Sequence, residues 1–106
     1  MITYNVTCSM DISISDEWLR WMEEVHVPDV MRCGIFISVN IHKVLQEFDN
    51  QASYAIQYSC NDMKDLHRYE VSFAPSLRKK HFERYKDKVI CFRTILERVS
   101  AYKDSL

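Results

Sequence analysis

The chain has 106 residues, of which 14 are basic and 15 acidic, and 47% are hydrophobic. This size and composition are usual for one globular domain and exclude a disordered chain. The net charge of −1 lacks the basic excess of a nucleic-acid-binding protein, and no stretch approaches the roughly 18 apolar residues of a membrane span. We therefore expect one domain over residues 1–106, frayed at 100–106, with neither nucleic acid nor a membrane as its partner.

The N-terminal segment and the cysteines indicate a cytoplasmic protein. Residues 1–15 have no basic start and no continuous apolar stretch, so no signal peptide is predicted and the thiols should be reduced. The cysteines are too far apart in sequence for a redox CxxC pair or a zinc knuckle, and we expect small buried hydrophobes at Cys8, Cys33, Cys60 and Cys91. The four histidines do not pair at helical spacing, so no metal site is predicted.

The first predicted element is a strand. Residues 2–10 alternate between apolar even-numbered and polar odd-numbered side chains. This period of two indicates a half-buried strand with Tyr4 on the buried face and Asn5 on the opposite one.

A helix is predicted to follow. Ser15 has the side chain of a good N-cap, and the helical spacing gives an apolar face of Trp18, Trp21, Met22 and Val25. Pro28 cannot donate a backbone hydrogen bond, so the helix should kink or restart there. Gly34 falls where a helix favours a left-handed residue just past its end.

The rest of the chain predicts two strands, a second helix and a last strand. Residues 35–42 and 53–60 alternate, Asn61 can cap a helix that Pro75 interrupts, and residues 88–99 are apolar on both faces apart from Arg93 and Thr94. A basic cluster with acidic neighbours is interpreted as a solvated helix face rather than a phosphate site; it comprises Arg78, Lys79, Lys80, His81, Arg84 and Lys86.

This βαββαβ order predicts an α+β, ferredoxin-like domain. Its four-stranded antiparallel sheet should carry both helices on one face, with the first and third strands in the middle. We assign to the uncovered face the polar residues of the first three strands together with Phe36, Val89, Cys91, Arg93 and Ile95. Such a mixture is typical of a homodimer interface with trapped water, although a monomer with this face in solvent fits the periodicity equally well.

Several stretches together resemble a small uncharacterised bacterial family, domain-of-unknown-function family 4286, over about residues 2–99. They are YNVT at 4–7, DEWLRWM at 16–22, HVPDVM at 26–31, GIF at 34–36, YAIQY at 54–58, FAPSLR at 73–78 and FRT at 92–94. The pattern is also similar to the wider dimeric α+β-barrel group, in which two sheets pack face to face. That resemblance implies a homodimer, but the group includes monooxygenases, isomerases and haem-degrading enzymes, so it does not transfer a function.

His26 is one candidate catalytic residue, because it lies next to the predicted helix break. A histidine facing a cavity can relay a proton near neutral pH. The alternative is a structural histidine that binds a carbonyl left open by Pro28.

Asn5, Gln57 and Arg93 form a second candidate group. If these side chains face the same way on neighbouring strands, they can bind an anion or a carbonyl oxygen. The alternative is a polar network that fixes the register of a dimer. Tyr54 and Tyr58 are predicted to line an apolar ligand pocket, or else simply to belong to the core.

No cofactor is predicted. The resemblance to haem-degrading proteins implies an asparagine on the first strand with an aromatic residue and a histidine on the second helix. Asn5, Tyr69 and His81 match those residue types, but the aromatic is tyrosine rather than tryptophan and the spacing differs.

Two functional hypotheses remain. The first is a dimeric ligand-binding or interaction module without turnover. The second is a cofactor-independent enzyme of the monooxygenase or isomerase type, with His26 as proton relay and Arg93 stabilising developing negative charge. A preformed cavity above roughly 300 Å³ between helices and sheet would favour the enzyme.

Overall fold

The computed structural model describes residues 1–45 and 48–104 and has the predicted order of elements. Strand β1 (Ile2–Asp11) leads into helix α1 (Ile12–Trp21), a π-helical turn (Met22–His26) and helix α2 (Val27–Met31); strands β2 (Ser38–Lys43) and β3 (Gln51–Cys60) follow, then helices α3 (Met63–Ser72) and α4 (Ala74–Tyr85), a 3₁₀ turn (Lys86–Lys88) and strand β4 (Val89–Glu97). The antiparallel sheet has the order β2-β3-β1-β4, which confirms the ferredoxin-like fold with the first and third strands in the middle.

The two central strands alternate as predicted. Even-numbered side chains of β1 and β3, such as Tyr4 and Ile56, are buried under the helices. Asn5 and Gln57 lie directly opposite each other on the other face of the sheet, which we call the outer face. Burial of the apolar set on one side fixes the register, because a slip by one residue would turn every core side chain outward.

The placement of Phe36 on the outer face was wrong. Strand β2 begins only at Ser38, so the alternation predicted from residue 35 onward does not hold for the two residues before it. Phe36 is 5% exposed and packs in the core, with its ring centroid 5.0 Å from that of Tyr58, whereas Ile37 is exposed.

The last strand also faces the other way from the prediction. Arg93 lies opposite Val6 and Cys91 opposite Cys8, so both are on the helix side, as are Val89 and Ile95. The outer face of β4 instead carries Ile90, Phe92, Thr94 and Leu96. Periodicity cannot orient a strand that is apolar on both faces. Because β4 is an edge strand and its second half is largely exposed, an arginine can remain on the helix side.

The first helix begins earlier than predicted. Asp11, not Ser15, is the N-cap, and its carboxylate accepts a hydrogen bond from the backbone N–H of Ser13 over 2.9 Å. Ser15 is buried within the helix and its hydroxyl donates to the carbonyl of Ile12.

The predicted interruption near Pro28 takes the form of the π-helical turn. The N–H of Val27 bonds to the carbonyl of Met22, so the chain passes Pro28 without ending the helix. The extra residue in this turn shifts the helical phase. Val25 is therefore exposed instead of completing the predicted apolar face, and His26 turns inward.

The second helical segment is divided at Phe73, as the position of Pro75 predicted. Its N-cap is Asp62 rather than Asn61, because the Asp62 carboxylate accepts from the N–H of Asp65 over 2.9 Å. Gly34 has a φ of 77°, which confirms its left-handed position after α2. Among the described residues, no helix is long and apolar enough to cross a membrane.

Candidate functional site

A small cavity lies between the helices and the centre of the sheet. Its volume is about 50 Å³, far below the roughly 300 Å³ of the smallest usual ligand pockets. It is lined by residues of β1, β3, β4, the π-helical turn, α3 and α4, namely Tyr4, Val6, Cys8, Met22, His26, Ile56, Tyr58, Tyr69, Leu77, Arg78, His81, Cys91 and Arg93.

Two arginines converge on one tyrosine at this cavity. The Tyr4 hydroxyl oxygen accepts hydrogen bonds from Arg78 Nη2 over 2.8 Å and from Arg93 Nε over 3.0 Å. Arg78 comes from α4 and Arg93 from β4, so the tyrosine on the central strand ties the two flanking elements together. Burial raises the pKa of Tyr4 despite these cations, so the phenol is neutral at pH 7.

The charges around Tyr4 are not balanced. Arg78 Nη2 pairs with Glu70 at 2.8 Å. Arg93 makes no ion pair within residues 1–45 and 48–104, and its only hydrogen bond there goes to Tyr4. The terminal amino groups of Arg93 therefore remain available at the exposed side of the cavity.

Two histidines form another wall of the cavity. The rings of His26 and His81 lie with centroids 5.9 Å apart, and His81 Nε2 accepts a hydrogen bond from Trp18 Nε1 over 3.0 Å. Burial lowers the pKa of both histidines. For His26, burial and the neighbouring His81 together lower the pKa from its ordinary 6.5 to about 4. Both rings are therefore neutral at pH 7.

His26 stands where it could act on a bound molecule. Its ring lines the cavity and packs against Trp21 at 5.3 Å between centroids. Within the described part of the chain, its ring nitrogens make no hydrogen bond, so the predicted bond to a carbonyl freed by Pro28 is not present. The π-helical turn accommodates Pro28 instead.

The structure divides the predicted site residues between two faces. Three of them line the cavity on the helix side of the sheet: Tyr58, His26 and Arg93. Tyr54 is on the same side but packs on Trp18, with ring centroids 5.6 Å apart, and does not line this cavity. The expected grouping of Arg93 with Asn5 and Gln57 was wrong, because the two amides lie on the outer face.

Sequence reasoning missed Arg78 and His81 as cavity residues. Both belong to the basic cluster that was interpreted as a solvated helix face, and the rest of that cluster does behave so: Lys79 pairs with Glu83 and Arg84 with Glu17. Arg78 and His81 are three residues apart, which places them on one side of α4. This spacing was the signal available in the sequence.

The outer face carries a row of polar side chains across the strands. Asn40 lies opposite Gln57, Gln57 opposite Asn5, and Asn5 opposite Thr94. Asn5 Nδ2 donates to Thr7 Oγ1 over 3.1 Å, while Asn5 Oδ1 is buried without a hydrogen-bond partner in the described structure. Beside this row, Ile90, Phe92 and Leu96 are exposed.

The residues considered for haem do not form one site. Tyr69 and His81 line the cavity under the helices, but Asn5 is on the opposite face of the sheet. They cannot surround one porphyrin. Over residues 1–45 and 48–104, no group of three or more histidine, cysteine or acidic side chains is placed to hold a metal ion.

Solved structures with this fold include proteins of low sequence identity. HapK from Hahella chejuensis superposes with a TM-score of 0.72 at 13% identity, covering 99% of this chain and 100% of that chain. A dimeric ferredoxin-like protein from an uncultured marine organism has a TM-score of 0.68 at 13% identity, covering 98% and 100%. A second such dimeric protein, also from an uncultured marine organism, has a TM-score of 0.60 at 11% identity, covering 95% and 97%. At these identities the likeness establishes the fold alone.

Comparison by sequence leads to a family. A search of curated proteins finds none that matches this chain. The model of a domain of unknown function, DUF4286, matches residues 1–99, and the chain therefore belongs to the DUF4286 family.

Proposed function

We propose that this protein is a homodimeric small-molecule-binding domain whose cavity takes a small carboxylate. One observation carries the proposal: two guanidinium groups meet at the Tyr4 hydroxyl, and within the described chain only one carboxylate, that of Glu70, balances them. A bound anion would supply the missing charge. Arginine pairs with a carboxylate through two parallel N–H donors, which the free end of Arg93 provides.

The size of the cavity defines the ligand class. One water molecule needs about 10–15 Å³ of cavity volume, so a cavity of about 50 Å³ holds a group of only a few atoms. Carboxylates from formate to pyruvate fit this limit, whereas a benzoate ring does not. A large aromatic substrate therefore has no room in this cavity.

The other cavity walls suit such a ligand. The rings of His26 and His81 are neutral, so each can offer one nitrogen for a hydrogen bond without adding another positive charge to the two arginines. The buried rings of Tyr58 and Tyr69 also line the cavity.

The outer face is the proposed dimer interface. Four strands spaced about 4.8 Å apart and up to ten residues long give a face of roughly 600 Å² in projection, close to the roughly 800 Å² of accessible surface that each partner buries in a standard interface. Its exposed Phe92 and Ile90 next to a polar row match the mixed character of such interfaces. The dimeric ferredoxin-like proteins of the same fold support this assignment. A cytoplasmic location remains part of the proposal.

A thermal-shift screen tests the ligand. A millimolar binder at about one hundred times its Kd adds about 2.7 kcal/mol to the free energy of unfolding, which raises Tm by several degrees. Formate, acetate and pyruvate should raise Tm above chloride at equal ionic strength, and benzoate should not. Arg93→Gln should remove the shift, while Arg68→Gln, at an exposed arginine of α3, should keep it. A rise common to all salts, or one that survives Arg93→Gln, would refute the site.

A cofactor-independent enzyme of the isomerase or monooxygenase type is a second candidate, favoured by His26 alone. Its ring is neutral at pH 7 and lines the cavity together with Arg93, so it can accept a proton from a carbon next to the carbonyl of a bound keto acid while the arginine stabilises the enolate. The lowered pKa makes this imidazole a weak base, so the exchange is expected to be slow. Exchange of the methyl protons of pyruvate in D₂O, followed by NMR, measures this step. Exchange above the buffer rate that His26→Gln abolishes would support turnover, and exchange at the buffer rate would leave only binding.

A further inference from the structure

The cavity wall contains two thiols that the proposed carboxylate binding does not use. Cys8 on β1 and Cys91 on β4 are directly opposite each other, and their Sγ atoms are 2.9 Å apart. Cys8 is 1% exposed, Cys91 is half-buried, and both line the cavity. Cys33 and Cys60 have no second sulfur within hydrogen-bond distance in the described chain, so Cys8 and Cys91 form the one sulfur pair there.

The backbone permits a covalent link between these two residues. Directly opposite residues in an antiparallel pair have Cα atoms about 4.5 or about 5.5 Å apart. A disulfide joins Cα atoms about 4.4 to 6.8 Å apart. The strands therefore hold the two thiols at bridging distance without any change of register.

We propose that Cys8 and Cys91 form a reversible dithiol–disulfide couple that hydrogen peroxide oxidises inside the cavity. The size of the cavity selects the oxidant, because a space of about 50 Å³ admits hydrogen peroxide but not a bulky organic disulfide. This redox site goes beyond the proposed carboxylate binding and does not depend on it.

The surroundings assign Cys91 as the attacking sulfur. Cys91 is the more exposed of the two sulfurs. The hydrogen bond between the sulfurs lowers the pKa of Cys91 and raises that of Cys8, with burial adding to the rise. Arg93, two residues along the same strand, further lowers the pKa of Cys91. The thiolate is the reactive form of cysteine, and a nearby cation increases its population.

The chemistry balances in two steps. The Cys91 thiolate attacks one oxygen of hydrogen peroxide, the O–O bond breaks, and the departing hydroxide takes a proton from solvent to become water. Cys91 is now a sulfenic acid. Cys8 Sγ then attacks Cys91 Sγ, the S–O bond breaks, and a second water leaves with the proton of the Cys8 thiol. In total, two thiols and one peroxide give one disulfide and two waters.

Peptide mapping of the wild-type protein tests the couple. Cleavage after lysine and arginine places each of the four cysteines in a separate peptide. The reduced protein is treated with a stoichiometric amount of hydrogen peroxide, alkylated, digested and analysed by mass spectrometry. We expect a disulfide-linked pair of peptides containing Cys8 and Cys91 at peroxide doses that still leave Cys33 and Cys60 fully alkylated. Dithiothreitol should separate the linked peptides. Oxidation of Cys33 first, or over-oxidation of Cys91 while Cys8 stays free, would overturn the proposal.

Single variants test the order of attack. In Cys8→Ser, Cys91 should stop at the sulfenic acid, which dimedone traps as a mass increase on its peptide. In Cys91→Ser, Cys8 should remain a thiol. Cys60→Ser, which removes another fully buried cysteine, should leave the Cys8–Cys91 link unchanged. Oxidation of Cys8 at an undiminished rate in Cys91→Ser would exclude Cys91 as the attacking group. The wild-type map decides the existence of the couple even if a variant does not fold.

Discussion

The Tyr4 hydroxyl connects the stability of the domain to its cavity, because Arg78 and Arg93 both donate to it. Tyr4→Phe would leave the two donors without this acceptor, and we expect a loss of about 1–2 kcal/mol in the free energy of unfolding. Denaturant unfolding measures the loss, with Tyr102→Phe at a fully exposed position as the control. Equal stability of both variants and the wild type would show that the Tyr4 hydroxyl is not essential to the packing.

His26 predicts a dependence of stability on pH. Its pKa is about 4 in the folded protein and 6.5 ordinarily, so between these values the unfolded chain binds more protons and stability rises with pH. The contribution of His26 is complete above pH 6.5 and is lost as pH falls toward 4, by about 3 kcal/mol at most. His81, Arg93 and Lys80 favour this shift, and Asp29 opposes it. Unfolding free energies measured from pH 4 to 7 should therefore vary less in His26→Gln than in the wild type, and parallel profiles would contradict the assignment.

Regular patterns along the helices and strands were predictable from the sequence, and local irregularities were not. The alternation in β1 and β3 was read correctly because one face is buried and the other is not. The orientation of β4 was not predictable, since both of its faces are apolar and the deciding contact, Arg93 to Tyr4, is distant in sequence. The π-helical turn that brings His26 into the cavity has no periodic signature beyond the proline that follows it.

The end of α2 offers a test of one such local feature. Gly34 has a φ of 77°, and a Cβ placed there would meet nothing within 4 Å, so only backbone strain opposes a side chain. Gly34→Ala should lower the free energy of unfolding by about 1 kcal/mol. Gly34→Asn should lower it less, because asparagine tolerates the left-handed conformation. Chemical denaturation compares the two variants, and equal losses would point to a cause other than φ.

The outer face of the sheet should join two copies of the chain. Analytical ultracentrifugation at about tens of micromolar should give the mass of a dimer. Phe92→Lys would place a charge within the interface and should shift the protein to monomers. Phe82→Lys is the matched control, since Phe82 is 60% exposed on α4 and Phe92 is 65% exposed on β4. A monomeric wild type, or dissociation in both variants, would contradict this interface.

Carboxylate binding beside Arg93 is tested most directly by NMR titration of the arginine Nε–Hε signals with pyruvate at constant ionic strength. The signals of Arg93 and Arg78 should move and saturate, because both guanidinium groups surround the Tyr4 hydroxyl at the cavity. The signal of exposed Arg68 should stay in place, and glycerol, which is similar in size but uncharged, should move none of them. Signals of Arg93 and Arg78 that stay in place, or that shift together with Arg68 without saturating, would contradict a carboxylate site in this cavity.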